Sequence, residues 1–567
     1  MQPTAEPSGA TPSRIARVLP IVGWLSSYRR AWLGGDLIAG VIIVCLLVPE
    51  GMAYAQIAGM PPETVFYVAP PALLLYAIFA SSRKLVVVVS ATQAALSAGA
   101  VAALASPGTP AYAELTAALA LLVGVITIVA GLARLGVLAR FFSPSVLVGF
   151  VTGLALVIAI KQVPKILGIE GGEGDFFEQL RVILQHLGDV DVTTLVVGLS
   201  TIAVMVAVER FAHRVPAALV ALVLGIAASR LLDLAERGVE VVEEIPSGLV
   251  APQIPDVTLT QLSLLFASAV GIFLVNFAEA NSIAREYARR DGVKLDANQE
   301  LIGLGAANVG AGLFQGFTIG ASLSKSSAAD GAGMRTQMAG IVAAAGAIVV
   351  ALFLTGLFRG LPEATLGGIV IVAVSGMVKV RRIRDLYAMR RTDFLLAVAA
   401  LVAVLTLDTL AALVFAVTLS IAILVVRAVR SPVRRLGRLP DGRYGALEGH
   451  PEAREDPSIV VLRPDAPLFF ANAEELVDAV IAAASQTDPP VRGVVLDIES
   501  TNDLDVPSAD ALAALAKRLS DGGVRLALAR VHREVLDMLS RTGAIESIGV
   551  ELVFGRAEEA VQALRSS

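Results

Sequence analysis

The chain has 567 residues, 56% hydrophobic and 17% charged, with a net charge of −5 and a mean hydropathy of +0.74. Soluble domains carry about 25% charged residues, so most of this chain meets lipid, and the negative balance argues against a general nucleic-acid binder. A single cysteine, Cys45, excludes an intrachain disulfide and a thiolate zinc site, and the four histidines, His186, His213, His450 and His532, lack HExxH spacing.

Residues 1–13 are polar and small and are expected to be disordered. A short apolar stretch at 19–25 lies among Arg14, Arg17, Arg29 and Arg30. It reads as an interfacial helix rather than a signal peptide.

Fourteen membrane segments follow, near 37–57, 63–80, 85–105, 112–132, 144–161, 193–211, 215–231, 261–284, 297–314, 317–330, 335–357, 364–379, 392–407 and 409–427. The third and tenth are too short or too rich in small residues for plain spans of about 20 residues. Basic residues test the count. Loops on one side carry 17 Lys and Arg, among them Arg83, Lys84, Arg285, Arg289, Arg290 and six between Lys379 and Arg391; the other side carries 6. That bias places both termini in the cytoplasm, and the expected location is a bacterial inner (cell) membrane.

The first segment contains LLVPEGMAYAQ. Pro49 is expected to end or kink the helix. Glu50 lies thirteen residues beyond Leu37, about 20 Å of helix rise and past the middle of a core about 30 Å thick. A carboxylate there is costly unless it is paired, protonated or wetted.

The third segment opens as VVVVSATQAALSAG and the tenth as GFTIGASLSKSSAA, seven segments apart. Glu50 in segment 1 and Glu279 in segment 8 have the same separation. A repeat of seven spans is odd, so the second copy is inverted, and inverted repeats with broken helices mark secondary transporters. If SATQAALS and GASLSKSS each begin a half-helix, two helix N-termini face one another and form a cradle for an anion. Ser90, Thr92 and Gln93 add donors on one side, and Ser322, Ser324 and Lys325 on the other. Lys325 is expected to offset Glu50 and Glu279, with Glu279 as its partner, because each charge alone is costly in a low-dielectric interior.

From 428 the charge density rises. Residues 428–457 read as a connector. Residues 458–567 alternate strand and helix: SIVVLRP, then ANAEELVDAVIAAA with Asn472 as N-cap, VRGVVLDIE, SADALAALAKRL, VRLALARV, REVLDMLSRTG, VELVFG and RAEEAVQAL. The fold class is therefore an α-helical polytopic membrane protein with a small cytoplasmic α/β domain: 1–36 an N-terminal segment, 37–427 the membrane domain, 428–457 the linker and 458–567 the tail domain.

The run YRRAWLGGDLIAGVIIVCLLVPEGMAYAQIAGMPP resembles the first-span signature of the sulfate permease (SulP) family, which includes plant sulfate transporters, prestin and pendrin. LARLGVLARFFSPSVLVGFVTGLALVI, FAEANSIAREY and GASLSKSSAADGAGMRTQMAGI resemble its later motifs, and the tail resembles a STAS domain. The resemblance implies fourteen spans in a 7+7 inverted repeat, divided into core and gate, with the substrate between the N-termini of segments 3 and 10. It implies a site at Ser90, Ala91, Thr92, Gln93, Thr318, Gly320, Ala321, Ser322, Ser324 and Lys325, with Tyr54 and Glu279 nearby. It also implies a proton-coupling role for Glu50, where proton-coupled members carry a glutamate and many animal exchangers a glutamine.

Three departures bear on substrate and regulation. Many members carry arginine at the position of Lys325, and lysine lacks the planar two-pronged grip on an oxyanion. Where sodium-dependent bicarbonate relatives pair an aspartate in segment 8 with a threonine one turn on, Glu279 is followed by Ile283. In the STAS domain Val506 follows Asp505 where soluble regulators carry a phosphorylatable hydroxyl, so no phospho-switch is expected, and Ser508 reads as a helix N-cap.

The expected function is proton-coupled uptake of sulfate or a similar oxyanion by a homodimer, with protons, a small anion and membrane lipid as partners and no cofactor. The alternatives are a bicarbonate or dicarboxylate carrier on the same scaffold, or an uncoupled channel or exchanger. A nucleobase symporter has no need of Lys325. A scaffold acting through the tail is disfavoured by Val506, and no nucleophile–base pair or metal cluster indicates an enzyme.

Overall fold

The computed structural model describes residues 18–566 except 141–142, 173, 213–214, 408, 431 and 486–490. The stretch 1–13, expected to be disordered, lies outside the described residues. The chain divides into two units, Met1–Ile421 and Ala422–Ser567.

In the first unit the helices are α1 (Pro20–Ser26), α2 (Leu33–Ile57), α3 (Thr64–Phe79), α4 (Ala91–Val101), α5 (Pro110–Leu132), α6 (Pro144–Leu167), α7 (Phe176–Gln185), α8 (Val192–Phe211), α9 (Ala217–Leu231), α10 (Leu259–Asp291), α11 (Ala297–Leu313), α12 (Leu323–Gly331), α13 (Met338–Val349), α14 (Glu363–Ser375), α15 (Val380–Met389), α16 (Arg391–Thr406) and α17 (Thr409–Val429), the last running on past Ile421. Each of the fourteen expected segments holds one of these helices, and α1 falls on the short stretch read as interfacial. The two short connecting helices α7 and α15 lie where the residues predict loops. Eight helical stretches among the described residues are long and apolar enough to cross a bilayer. The shortest membrane segments are α4 and α12, 11 and 9 residues long, because an extended strand precedes each: β1 (Val87–Val88) and β2 (Gly320–Ala321).

Two helix groups are built by close backbone approach. In the core group, α2, α3, α5, α10, α11, α12 and α13 pack on one another, with α4 against α2, α5 and α10; in the gate group, α6, α8, α9, α14 and α16 do the same. Lipid tails are as apolar as leucine, so small residues that admit tight packing drive such association. Gly149 of α6 shows the limit: a Cβ there would stand 1.9 Å from the Ala397 carbonyl oxygen of α16. The groups meet along a seam where α2 touches α9 and α14, and α4 touches α6.

Of the two outcomes expected at Pro49, an end or a kink, the first does not occur: α2 runs 25 residues from Leu33 to Ile57 with the proline inside. Proline removes one intrahelical donor, and buried packing on both sides of it holds the rest of the helix together.

The second unit is a six-stranded sheet in the order β4-β3-β5-β6-β7-β8: β3 (Val433–Arg438), β4 (Tyr444–Ala446), β5 (Ile459–Pro464), β6 (Gly493–Asp497), β7 (Arg525–Ala529) and β8 (Val553–Phe554). From β5 to β8 the strands are parallel, and β3 is antiparallel to both β4 and β5. Alternate residues of β5 enter different cores, Val460 and Leu462 one and Ile459 and Val461 the other, so both faces are covered, as buried parallel strands require. Helices α18 (Ala473–Ser485), α19 (Val506–Asp521), α20 (Arg533–Thr542) and α21 (Ala544–Ile548) contribute to the first core and α22 (Ala557–Ser566) to the second.

The stretch 428–457, expected to be a connector, thus supplies β3 and β4 to this sheet. Of the two predicted N-caps, Asn472 holds its position immediately before Ala473, its carbonyl accepting from the Leu476 N–H at 3.1 Å, and Ser508 does not. The Asn472 side chain turns back, accepting from the Phe469 N–H at 2.9 Å and donating to the Pro467 carbonyl at 3.0 Å. Asp505, not Ser508, caps α19 by accepting from the Ser508 N–H at 3.0 Å.

Candidate functional site

The two half-helices begin with matching turns. Ser90 caps α4, its hydroxyl accepting from the Gln93 N–H at 3.4 Å; Ser322 caps α12, accepting from the Lys325 N–H at 3.4 Å. Just before each cap the chain is extended, and β1 pairs antiparallel with β2, Val87 opposite Ala321 and Val88 opposite Gly320. The crossing is tied further by the Ser322 N–H to the Val86 carbonyl at 2.9 Å and by the Val86 N–H to Ser326 Oγ at 2.9 Å. Two sets of unpaired helix N–H groups are thereby placed beside one another inside the protein, a favourable setting for negative charge.

Lys325 has a different partner from the expected one. Its ammonium meets Glu50 Oε2 at 2.5 Å, with the lysine side chain 0% and the glutamate 8% exposed. Tyr54, one turn beyond Glu50 in α2, donates its hydroxyl to the same Oε2 at 3.4 Å, and the Lys325 ammonium sits 5.2 Å from the centre of the Tyr54 ring. The expected Lys325–Glu279 pair is replaced by this Lys325–Glu50 pair. An uninterrupted α2 brings Glu50 and Tyr54 to one face, four residues apart, and that face receives α12.

Glu279 keeps its own place. Its Oε2 is buried without a hydrogen-bond partner, as are Asn276 Oδ1 and both polar atoms of the Gln93 amide. Gln93 and Asn276 flank Gly320: a Cβ there would come within 2.5 Å of Asn276 Oδ1 and 2.8 Å of Gln93 Cγ. Asn276 and Glu279, three apart in α10, share a helix face. Buried polar atoms are ordinarily satisfied, so the uncommitted atoms of Gln93, in the first turn of α4, and of Asn276, against Gly320 just before α12, are available to bind.

The other predicted residues divide by role. Ala91 is buried at the start of α4 and Ala321 just before α12; Thr92 is buried in the first turn of α4, and Ser324 Oγ lies 3.2 Å from Ser322 Oγ on a more exposed turn. Thr318 is committed to the framework: its hydroxyl donates to the Gln93 carbonyl at 3.1 Å and meets Ser97 Oγ at 2.8 Å.

Four framework residues escaped the sequence reading: Ser97, Asn276, Asn308 and Ser326. Asn276 and Asn308 both donate to the Ile319 carbonyl, at 2.8 and 3.1 Å, and Asn308 Oδ1 accepts from the Ile319 N–H at 3.0 Å. They clamp the residue that precedes β2. Each asparagine interrupts an apolar run, IFLVNFAE and GAANVGA, and the cost argument that singled out Glu50 applies to them as well.

Comparison with known proteins bears on the whole chain. The sulfate permease family model matches residues 33–400. The chain belongs to the sulfate permease family. A STAS domain model matches residues 450–560. The chain is similar to a probable sulfate transporter of Mycobacterium tuberculosis, 35% identical over 96% of this chain and 98% of that protein. It is also similar to the chloroplastic sulfate transporter 4.1 of Arabidopsis thaliana, 29% identical over 97% and 82%. Among solved structures it shares the fold of murine solute carrier 26 family member A9, with TM-score 0.90, 23% identity and coverage of 100% of this chain and 97% of that one. The membrane domain of a cyanobacterial bicarbonate transporter aligns at TM-score 0.62 and 21% identity over 70% of this chain and 98% of that one. This sulfate permease family member is thus a multi-pass integral membrane protein with the 7+7 inverted-repeat fold and a STAS domain. It is an anion transporter and not an enzyme.

Proposed function

We propose that the protein is a secondary active importer that couples uptake of sulfate or a similar oxyanion to protons by alternating access. The observation that carries this reading is the Lys325–Glu50 pair at the mouth of the two half-helices. With Glu50 ionised, the cation in the first turn of α12 is held by a carboxylate. A proton on Glu50 removes that competitor and frees the ammonium for an anion cradled by the N-termini of α4 and α12, with Ser90, Thr92, Gln93, Ser322 and Ser324 as donors. Anion and proton therefore favour one another's binding, which is the thermodynamic requirement for symport. Gln93 and Asn276, which flank Gly320 just before α12, add uncommitted polar atoms, and Glu279 lies one turn beyond Asn276 in α10. The names of the mycobacterial and plant relatives support sulfate as the anion.

Both termini lie in the cytoplasm on this reading, and the STAS domain serves assembly or regulation of a homodimer, since every residue assigned to the path precedes it.

Uptake of labelled sulfate, bicarbonate, fumarate and succinate into proteoliposomes, with and without an inward proton gradient, tests the proposal. Accumulation of sulfate that requires the gradient is expected. Gradient-independent flux would favour an uncoupled exchanger or channel, and accumulation of bicarbonate or a dicarboxylate instead would move the substrate to the alternative class.

A further inference from the structure

Away from the half-helices, three side chains close a hydrogen-bonded ring across the seam. Gln56 stands in the last turn of α2, in the core group. Lys165 stands in the last turn of α6 and Glu363 at the first residue of α14, both in the gate group. Lys165 Nζ lies 2.8 Å from Glu363 Oε2 and donates to Gln56 Oε1 at 2.8 Å, while Gln56 Nε2 donates to Glu363 Oε1 at 2.7 Å. Each charge suits its own helix: a cation at the C-terminal end of α6 and a carboxylate at the N-terminal end of α14. The gate group thus presents a pre-set ion pair, and the core group fastens to it through an amide that accepts from one partner and donates to the other. The side chains of Lys165 and Glu363 are 31% and 19% exposed, so the ring is neither a free surface contact nor part of a sealed core.

The connection between α9 and α10 reinforces the same place. On the gate side the Val242 N–H donates to the Leu361 carbonyl at 2.8 Å and the Glu363 N–H to the Glu240 carbonyl at 2.9 Å; on the core side the Gln253 N–H donates to the Leu313 carbonyl at 2.7 Å. By the charge bias of the loops, this end of α2 is the outer face.

We propose that Gln56, Lys165 and Glu363 are a latch that holds the outer face of the seam shut, and that the path opens outward only when Gln56 leaves the Lys165–Glu363 pair. The proposal rests on the alternating-access reading above. It adds three positioning residues for the transport step, none of which touches the candidate anion site.

Hydrogen–deuterium exchange on the full-length protein in lipid nanodiscs tests it without reference to substrate or coupling ion. Gln56→Ala and Glu363→Gln each remove hydrogen bonds to charged groups, so exchange in 54–60, 239–245 and 360–366 should rise by about tenfold, with the STAS domain and α11 unchanged. The swapped variant Lys165→Glu with Glu363→Lys should exchange less than either single variant, because the Gln56 amide can turn over and serve the pair in either order, though not fully as wild type, since each charge then stands at the less favourable helix end. Unchanged exchange in the single variants overturns the latch, and so does a swapped variant as open as the singles. A rise spread over the whole membrane unit would show general destabilisation and count equally against it. Loss of proton-driven uptake with normal exchange would bear on the import reading alone.

Discussion

The ammonium of Lys325 rests 2.5 Å from Glu50 Oε2, joining residues 275 apart in the chain. Each would be costly alone in the membrane interior, and each sits where the other neutralises it. The pair connects the first span of one repeat to the half-helix of the other, and on the proposed import reading the charge state of Glu50 controls whether the first turn of α12 offers a free cation.

Glu50→Gln removes the carboxylate and keeps its shape. Proton-driven accumulation of sulfate should be lost, while exchange of labelled for unlabelled anion across the same proteoliposomes persists. Continued concentrative uptake under a pH gradient would remove Glu50 from the coupling role.

Lys325→Ala leaves the Glu50 carboxylate buried without its partner, a change that typically costs about 3–5 kcal/mol. A lower melting temperature and loss of anion-induced thermal stabilisation are expected together. The double variant Glu50→Gln with Lys325→Met should recover the melting temperature and remain inactive in uptake. Normal uptake by Lys325→Ala would exclude a direct role in holding the anion.

Gly320→Ala tests the cradle itself. Its Cβ would press on Asn276 Oδ1 at 2.5 Å and Gln93 Cγ at 2.8 Å, well inside ordinary contact. Overpacking of this kind costs about 1–3 kcal/mol, so the protein should fold. Because the displaced groups are those beside the cradle, KM for the anion should rise by about tenfold or more, the factor that about 1.4 kcal/mol represents. An unchanged KM would place the anion elsewhere.

Asn276→Ala removes one of two side-chain donors to the Ile319 carbonyl and leaves the Asn308 bonds in place. Stability should fall by about 1 kcal/mol, the net value of one such bond. Asn308→Ala should cost more, because it leaves the buried Ile319 N–H without the acceptor that Asn308 Oδ1 provides. Thermal denaturation of the two variants side by side checks the order.

A chain ending at Pro432 removes the whole STAS sheet, since β3 begins at Val433. It should still show an anion-dependent thermal shift, with changed mass in detergent if the STAS domain serves assembly. A chain ending at 457 should behave worse than either, because it retains β3 and β4 without the β5 edge on which β3 pairs. Failure of the Pro432 chain to bind, when folded, would place part of the site outside the membrane unit.

Much of this architecture was legible in the residues. Hydrophobic length marked fourteen segments because lipid leaves the backbone no choice but to bond within each helix. The seven-segment offset between SATQ and SLSK exposed the repeat, and the period of the tail separated its strands from its helices. Other features were decided only by the tertiary structure. Local propensity at Pro49 argues for a broken helix, yet packing on both sides of it carries α2 through, and that continuity sets Glu50 and Tyr54 on the face that meets α12. A charge count says that Lys325 needs a carboxylate but not which, because Glu50 and Glu279 are alike in kind and the choice depends on how two half-helices cross. The strands β3 and β4 hid in a basic, turn-rich stretch because β4 is an edge strand, which tolerates charge, and the β3 arginines are offset by carboxylates that only the fold brings to them, Arg434 by Asp465 and Arg435 by Glu455. The polar clamp of Asn276 and Asn308 depends on where Ile319 passes between two helices. Sequence by itself determined which residues must be in the membrane and which must be neutralised there; only three-dimensional packing determined by whom, since a buried charge is satisfied by whatever group stands within about 3 Å of it.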